Sequence, residues 1–177
     1  MEPAIWTIGH STLPLASFLT LLERHGIAAI ADVRRFPGSR RHPQFGAEAL
    51  PESLAGQGIG YRWFPDLGGR RRPRADSPNT VWKNEAFRGY ADYMETAEFQ
   101  AALEAVLAFA ARQPTSLMCA EAPWWRCHRA MLSDALKARG VRMLHVMGEG
   151  PPVEHPYTAP ARVVDGRLTY GEPGLFG

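Results

Sequence analysis

The stretch from Ala4 to Val33, AIWTIGHSTLPLASFLTLLERHGIAAIADV, decides how the chain folds. Ala4 to Ile8 is a short apolar run that ends at Gly9, which is the signature of a buried strand. After Gly9-His10-Ser11-Thr12, the residues Leu15, Phe18, Leu19 and Leu22 recur at i, i+3, i+4 and i+7. That spacing predicts a helix, with Thr12 as its cap, Pro14 in its first turn and an end near Gly26. Ile27 to Val33 is again apolar and reads as a second strand. Strand, helix, strand over thirty residues is a βαβ unit, and such units build parallel sheets.

The same alternation continues outward. Glu48 to Gln57 reads as a weaker helix and Tyr61 to Phe64 as a short strand. Helical periodicity returns at Phe87 to Met94 and again through Phe99, Leu103, Val106, Leu107 and Ala110, where Gln113-Pro114 closes it. Ser116 to Cys119 is a strand, Cys127 to Arg139 a helix ended by Gly140, and Val141 to Val146 another strand. Val163 to Leu168 contains Asp165-Gly166, a type I′ pair that predicts a hairpin. Residues 65–84 carry Gly68-Gly69, four arginines, Pro73 and Pro78 without periodicity, and read as a mobile flap. The expectation is an α/β fold: one three-layer domain over residues 1–177, a mostly parallel sheet flanked by helices, and a small C-terminal hairpin.

Composition narrows the functional classes. With 177 residues, 45% hydrophobic and 21% charged, the chain is of ordinary globular make-up. It has no apolar run of membrane-spanning length and its start lacks the pattern of a signal peptide, so no membrane partner and a cytoplasmic location are expected. Two cysteines cannot build a disulfide framework, and both are expected as free thiols. Eighteen of the twenty basic residues are arginine, and nine of them, between Arg34 and Arg74, face only Glu48, Glu52 and Asp66. Guanidinium forks suit phosphate and carboxylate, so the segment points to an anionic partner.

Ligands of open α/β sheets sit beyond the carboxyl ends of the strands, and those ends are polar here. His10, Ser11 and Thr12 follow the first strand; Asp32, Arg34 and Arg35 end the second. Glu121 follows the strand ending at Cys119, and Cys127, His128 and Arg129 open the next helix. The candidate catalytic residues are Glu121, as general base or nucleophile, with His128 and His10 as acid/base partners. Arg34, Arg40, Arg70 and Arg129, with Ser11 and Thr12, form the candidate anion site. Trp63, Phe64, Trp82, Trp124 and Trp125 are candidates to stack on bases. No cofactor is expected. A metal, if one binds, would use Cys119, Cys127 and His128, although Cys-x7-Cys-His is not the spacing of a closed zinc site.

The motifs TIGHST (7–12), ADVRRFPGSRRHPQF (31–45), GIGYRWFPDLGGRRR (58–72), FRGYADYMETAEF (87–99) and CAEAPWWRCHRAMLSDALKARG (119–140) together resemble the bacterial and archaeal family catalogued as domain of unknown function 488. The resemblance spans roughly Thr7 to Val146. One departure is Pro123-Trp124-Trp125, where an apolar residue followed by Pro-Trp is the expected pattern. The likeness implies a compact α/β domain with an active-site-like cluster at the signature positions, and it supplies no substrate. The leading expectation is an enzyme acting on a phosphate-bearing substrate, a nucleotide or nucleic acid. The alternatives are a non-catalytic nucleic-acid-binding module and a metal-dependent enzyme or sensor.

Overall fold

The computed structural model describes residues 3–38 and 40–171. Strand β1 (Ala4–Gly9) leads through α1 (Leu15–Arg24) to β2 (Ala29–Asp32), and α2 (Ala49–Ala55) leads to β3 (Gly60–Trp63). Helices α3 (Glu85–Met94) and α4 (Ala97–Ala110) precede β4 (Thr115–Cys119), and α5 (Arg129–Ala138) joins β4 to β5 (Arg142–His145). The sheet order is β3-β2-β4-β1-β5-β6, with all pairs parallel except the last. Strand β6 (Val153–Glu154) runs antiparallel at the edge and was not foreseen, because two residues carry no period.

Helices cover both faces. Ile8, Ile30 and Met118 point toward α1 and α2, where Phe18, Leu22, Phe45, Leu50 and Leu54 close one core. Ile5, Ala31, Leu117 and Met143 point the other way, onto Phe99, Leu103, Val106, Met131 and Leu132 of α4 and α5. This alternation follows from the two-residue period of a strand, and it places polar residues near the strand ends on two opposite faces as well. The three-layer α/β arrangement is therefore as expected. The small hairpin of β7 (Ala161–Val164) and β8 (Arg167–Tyr170) turns at Asp165 and Gly166, whose φ values of 52° and 77° are those of a type I′ turn. Residues 172–177 lie outside the described residues.

One local expectation is corrected. Thr12 does not cap α1; the helix starts later, at Leu15, with Pro14 at the N-cap and no side-chain cap hydrogen bond. Residues 11–12 instead follow the loop after β4, since the Ser11 N–H donates to the Ala120 carbonyl at 2.9 Å.

Residues 65–84, read as a mobile flap, make hydrogen bonds to α3. Tyr90 and Tyr93 donate to the carbonyls of Leu67 and Asp66, the Arg71 guanidinium lies 3.8 Å from the Tyr93 ring centre, and Asp92 accepts from Arg74 N, Ser77 Oγ and Asn79 Nδ2. Gly89 permits this contact, because a Cβ there would stand 2.0 Å from the Arg71 oxygen.

Candidate functional site

Parallel pairing brings Gly9, Asp32 and Cys119 to neighbouring strand ends: Gly9 pairs with Cys119, and Asp32 with Met118. The loops after β1, β2, β3 and β4 therefore gather at one edge of the sheet. Gly9 is needed there, since a Cβ would lie 1.7 Å from the Glu121 carbonyl oxygen. Three arrangements are built on this edge.

On the α1/α2 face, the fully buried Asp32 carboxylate accepts from Arg34 Nε (2.8 Å), Arg34 Nη2 (2.7 Å), the Arg34 backbone N–H (3.1 Å) and Tyr61 Oη (2.6 Å). Arg34 Nη1 donates to the Phe45 carbonyl at 2.7 Å and stands 3.4 Å from His10 Nε2. Burial alone would pull the Arg34 pKa down, but the hydrogen bonds and charge of Asp32 raise it. Burial and the same carboxylate push Tyr61 up. His10 stacks on Phe45 at 4.4 Å, donates from Nδ1 to the Ser11 carbonyl, and has its pKa lowered to about 4, chiefly by burial. It is a neutral imidazole wedged into this network. Arg34, expected in the anion site, has its fork filled by Asp32 and faces inward.

On the α5 face, Arg129 is fully buried. Its Nη2 donates to the backbone carbonyls of Glu121 and Ala122, and its Nη1 to Thr7 Oγ1. The guanidinium thus holds the backbone of the Glu121 turn and not its carboxylate. Thr7, having accepted from Arg129, donates to His145 Nδ1 at 2.6 Å; His145 Nε2 donates to His155 Nδ1 at 2.9 Å, and His155 Nε2 to Asp134 Oδ1 at 2.7 Å. Thr158 and Tyr170 complete the Asp134 carboxylate. Burial, with His155 and Arg129 nearby, lowers the His145 pKa to about 3. Trp124 stacks flat on His145, Trp82 packs on Phe87 and Tyr170, and Phe64 is core, which leaves Trp63 and Trp125 as the exposed tryptophans of the five proposed for stacking.

Beside Arg129 sit the two thiols. Cys119 and Cys127 are free, and their sulfurs are 2.8 Å apart. His128 donates from Nε2 to the Val33 carbonyl at 2.9 Å, so its Nδ1 faces Cys127 Sγ at 3.4 Å. Gly69 packs against this ring, where a Cβ would come within 3.0 Å of Nδ1. His128 is thereby joined to Cys127 rather than to Glu121. The Glu121 side chain is exposed at the edge, without an ion pair or hydrogen bond among the described residues. Among those residues no group of three or more His, Cys, Asp or Glu is arranged to hold a metal.

The third arrangement is the outer rim. Phe36 is 61% exposed, and the guanidinium carbons of Arg35 and Arg70 lie 5.3 and 5.8 Å from its ring centre. Arg35 Nη1 donates to the Arg70 carbonyl at 2.7 Å, which holds Arg70 in the left-handed region at φ 60°. Neither arginine forms an ion pair among the described residues. Arg40 and Thr12 are exposed and Ser11 half-buried on the same set of loops. Arg35 was read from the sequence as a strand-end residue but left out of the candidate anion site, although strand alternation carries the signal: Asp32 and Arg34 point inward together, so Arg35 points the other way. A groove of about 690 Å³ between α3, α4, α5 and β8 holds none of the expected site residues.

No helix among the described residues is long and apolar enough to cross a membrane. Comparison with curated proteins and with solved structures returned no match. The family profile described as "Domain of unknown function DUF488" matches residues 14–136, about two thirds of the chain, and the protein belongs to that family.

Proposed function

We propose that the carboxyl edge of the sheet binds a phosphate-bearing ligand, a nucleotide or nucleic acid, through Arg35 and Arg70 around Phe36. The carrying observation is the pair of guanidinium groups flanking one exposed ring with no carboxylate partner among the described residues. Two forks supply donors matched to phosphate oxygens, and the phenyl face supplies a stacking surface for a base. Arg40 and Arg126, both exposed on adjoining loops, extend the positive rim. Free thiols at Cys119 and Cys127 accord with a cytoplasmic setting.

A thermal-shift screen tests this, because a ligand that binds only the native state raises its apparent stability. Nucleotides and short oligonucleotides are expected to raise Tm in the wild type and not in an Arg35→Ala/Arg70→Ala variant; equal shifts in both would refute the assignment. A catalytic form of the proposal rests on Glu121, whose exposed carboxylate shares the edge. There Glu121 acts on the bound ligand without His128, which is engaged by Val33 and Cys127.

A further inference from the structure

Arg129 is an uncommon object: a fully buried guanidinium whose hydrogen-bond partners are all neutral oxygens, and whose Nε has no partner among the described residues. A buried charge without a counter-ion costs several kcal/mol. The ionisable groups that feel its charge are His145, reached through Thr7, and the two thiols. The Arg129 N–H, at the start of α5, points at Cys127 Sγ from 3.5 Å, His128 Nδ1 is 3.4 Å from that sulfur, and Cys119 Sγ is 2.8 Å away. Cys127 thus meets one backbone N–H donor, a ring nitrogen placed to take its proton, and the second sulfur. Cys119 has the opposite surroundings, with its sulfur directed at the Glu121 carbonyl oxygen at 3.6 Å, which can only accept. Tyr90, facing the pair from α3, gives its proton to the Leu67 carbonyl and adds no charge.

We propose that Cys127 and Cys119 are a redox-active dithiol, in which Cys127 is the thiolate that attacks a small peroxide and Cys119 is the thiol that resolves it. The electrostatics agree: burial alone would raise both thiols, but Cys119, His128 and Arg129 bring Cys127 well below an ordinary cysteine, whereas Cys119 is pushed well above. Such a split gives one nucleophile and one resolving thiol.

The step balances. The Cys127 thiol passes its proton to His128 Nδ1 as its sulfur attacks one oxygen of hydrogen peroxide, an S–O bond forms, the O–O bond breaks, and the leaving hydroxide takes that proton to give water. The Cys119 sulfur then displaces hydroxide from the Cys127 sulfenic acid. An S–S bond forms, the S–O bond breaks, and the Cys119 proton leaves with the hydroxide as a second water. Two thiols lose two electrons and the peroxide is reduced. The oxidant must be small and uncharged, because both cysteines are buried.

The test treats the reduced full chain with hydrogen peroxide and maps its peptides by mass. The expected result is joint loss of both thiols with a Cys119–Cys127 bridge, reversed by dithiothreitol, at a dose that leaves the exposed Met147 unoxidised. In Cys119→Ala, Cys127 is expected to gain one oxygen that dimedone traps; in Cys127→Ala, Cys119 is expected to stay unmodified. Should either variant fail to fold, thiolate absorbance at about 240 nm in the reduced wild type is decisive, with one equivalent expected. Oxidation of Met147 ahead of the thiols, oxygen appearing first on Cys119, or no thiolate absorbance would overturn the proposal. Neither the peroxide nor the thiols involve the Arg35/Arg70 rim, so failure here leaves the phosphate-binding proposal standing.

Discussion

Asp32→Asn is expected to be among the most damaging single changes at the site, and its cost follows from the hydrogen-bond inventory. The carboxylate accepts four hydrogen bonds, three from Arg34 and one from Tyr61, in a place with no solvent exposure. Asparagine keeps one acceptor oxygen but turns an NH2 toward groups that can only donate or that need an acceptor. Arg34 is then a buried, uncompensated cation. Breaking one side of a buried pair costs roughly 3–5 kcal/mol, a large share of the roughly 5–15 kcal/mol that holds a domain folded. With a urea slope of about 2 kcal/mol per molar, the midpoint should fall by about 1.5–2.5 M. Urea unfolding followed by circular dichroism measures it directly. Asp32→Asn/Arg34→Met removes both charges and should regain most of the loss, since replacing a buried pair by apolar groups is often neutral. A fall below about 0.5 M, or a double variant no better than the single, would refute the account of Arg34 as an internal structural cation.

Further expectations concern the rest of the edge. His145 and His10, with folded pKa values of about 3 and about 4 against an ordinary 6.5, are neutral when folded and take up protons when unfolded. Their contribution to stability is present above pH 6.5 and is lost as pH falls toward the folded values, each at up to about 1.4 kcal/mol per pH unit. Between pH 6.5 and 5, His145→Gln should lower that slope by about one proton, and an unchanged slope would contradict the relay. Gly9→Ala places a Cβ 1.7 Å from the Glu121 oxygen, so Tm should fall by at least about 4 °C in calorimetry; an unchanged Tm would contradict the close approach. Glu121→Gln should leave Tm and ligand affinity unchanged, because the side chain is exposed and unpaired among the described residues, and should lower any turnover about a hundredfold. Full turnover in that variant would remove Glu121 from the chemistry.

The parallel sheet was legible because the apolar runs and the helical spacing between them are local signals. Its strand order was not. That β4 inserts between β1 and β2 depends on which separated residues share a core, Ile8 with Phe18 in one and Leu117 with Leu132 in the other, which no window of sequence reports. The polar strand ends were correctly placed together at one edge, yet the pleat divides them between two faces, and this sets Asp32 and His10 apart from Cys119 and His128. Asp32 and Arg34, two apart in extended chain, could have been recognised as an ion pair from that spacing alone. The Thr7–His145–His155–Asp134 chain could not, since its members come from four separate segments. Clustering of arginines was visible in the sequence, but which ones face solvent was decided by the strand alternation and by Asp32.

The central claim, phosphate binding at the Arg35–Phe36–Arg70 rim, is tested most directly by the salt dependence of single-stranded oligonucleotide binding. The slope of log affinity against log salt counts the phosphates neutralised, at about −0.7 for each on a single strand. Wild type should bind with a clearly negative slope, and Arg35→Ala/Arg70→Ala should bind more weakly with a slope shallower by about 1.4. A slope that is the same in both proteins, or binding indifferent to salt, would contradict the claim.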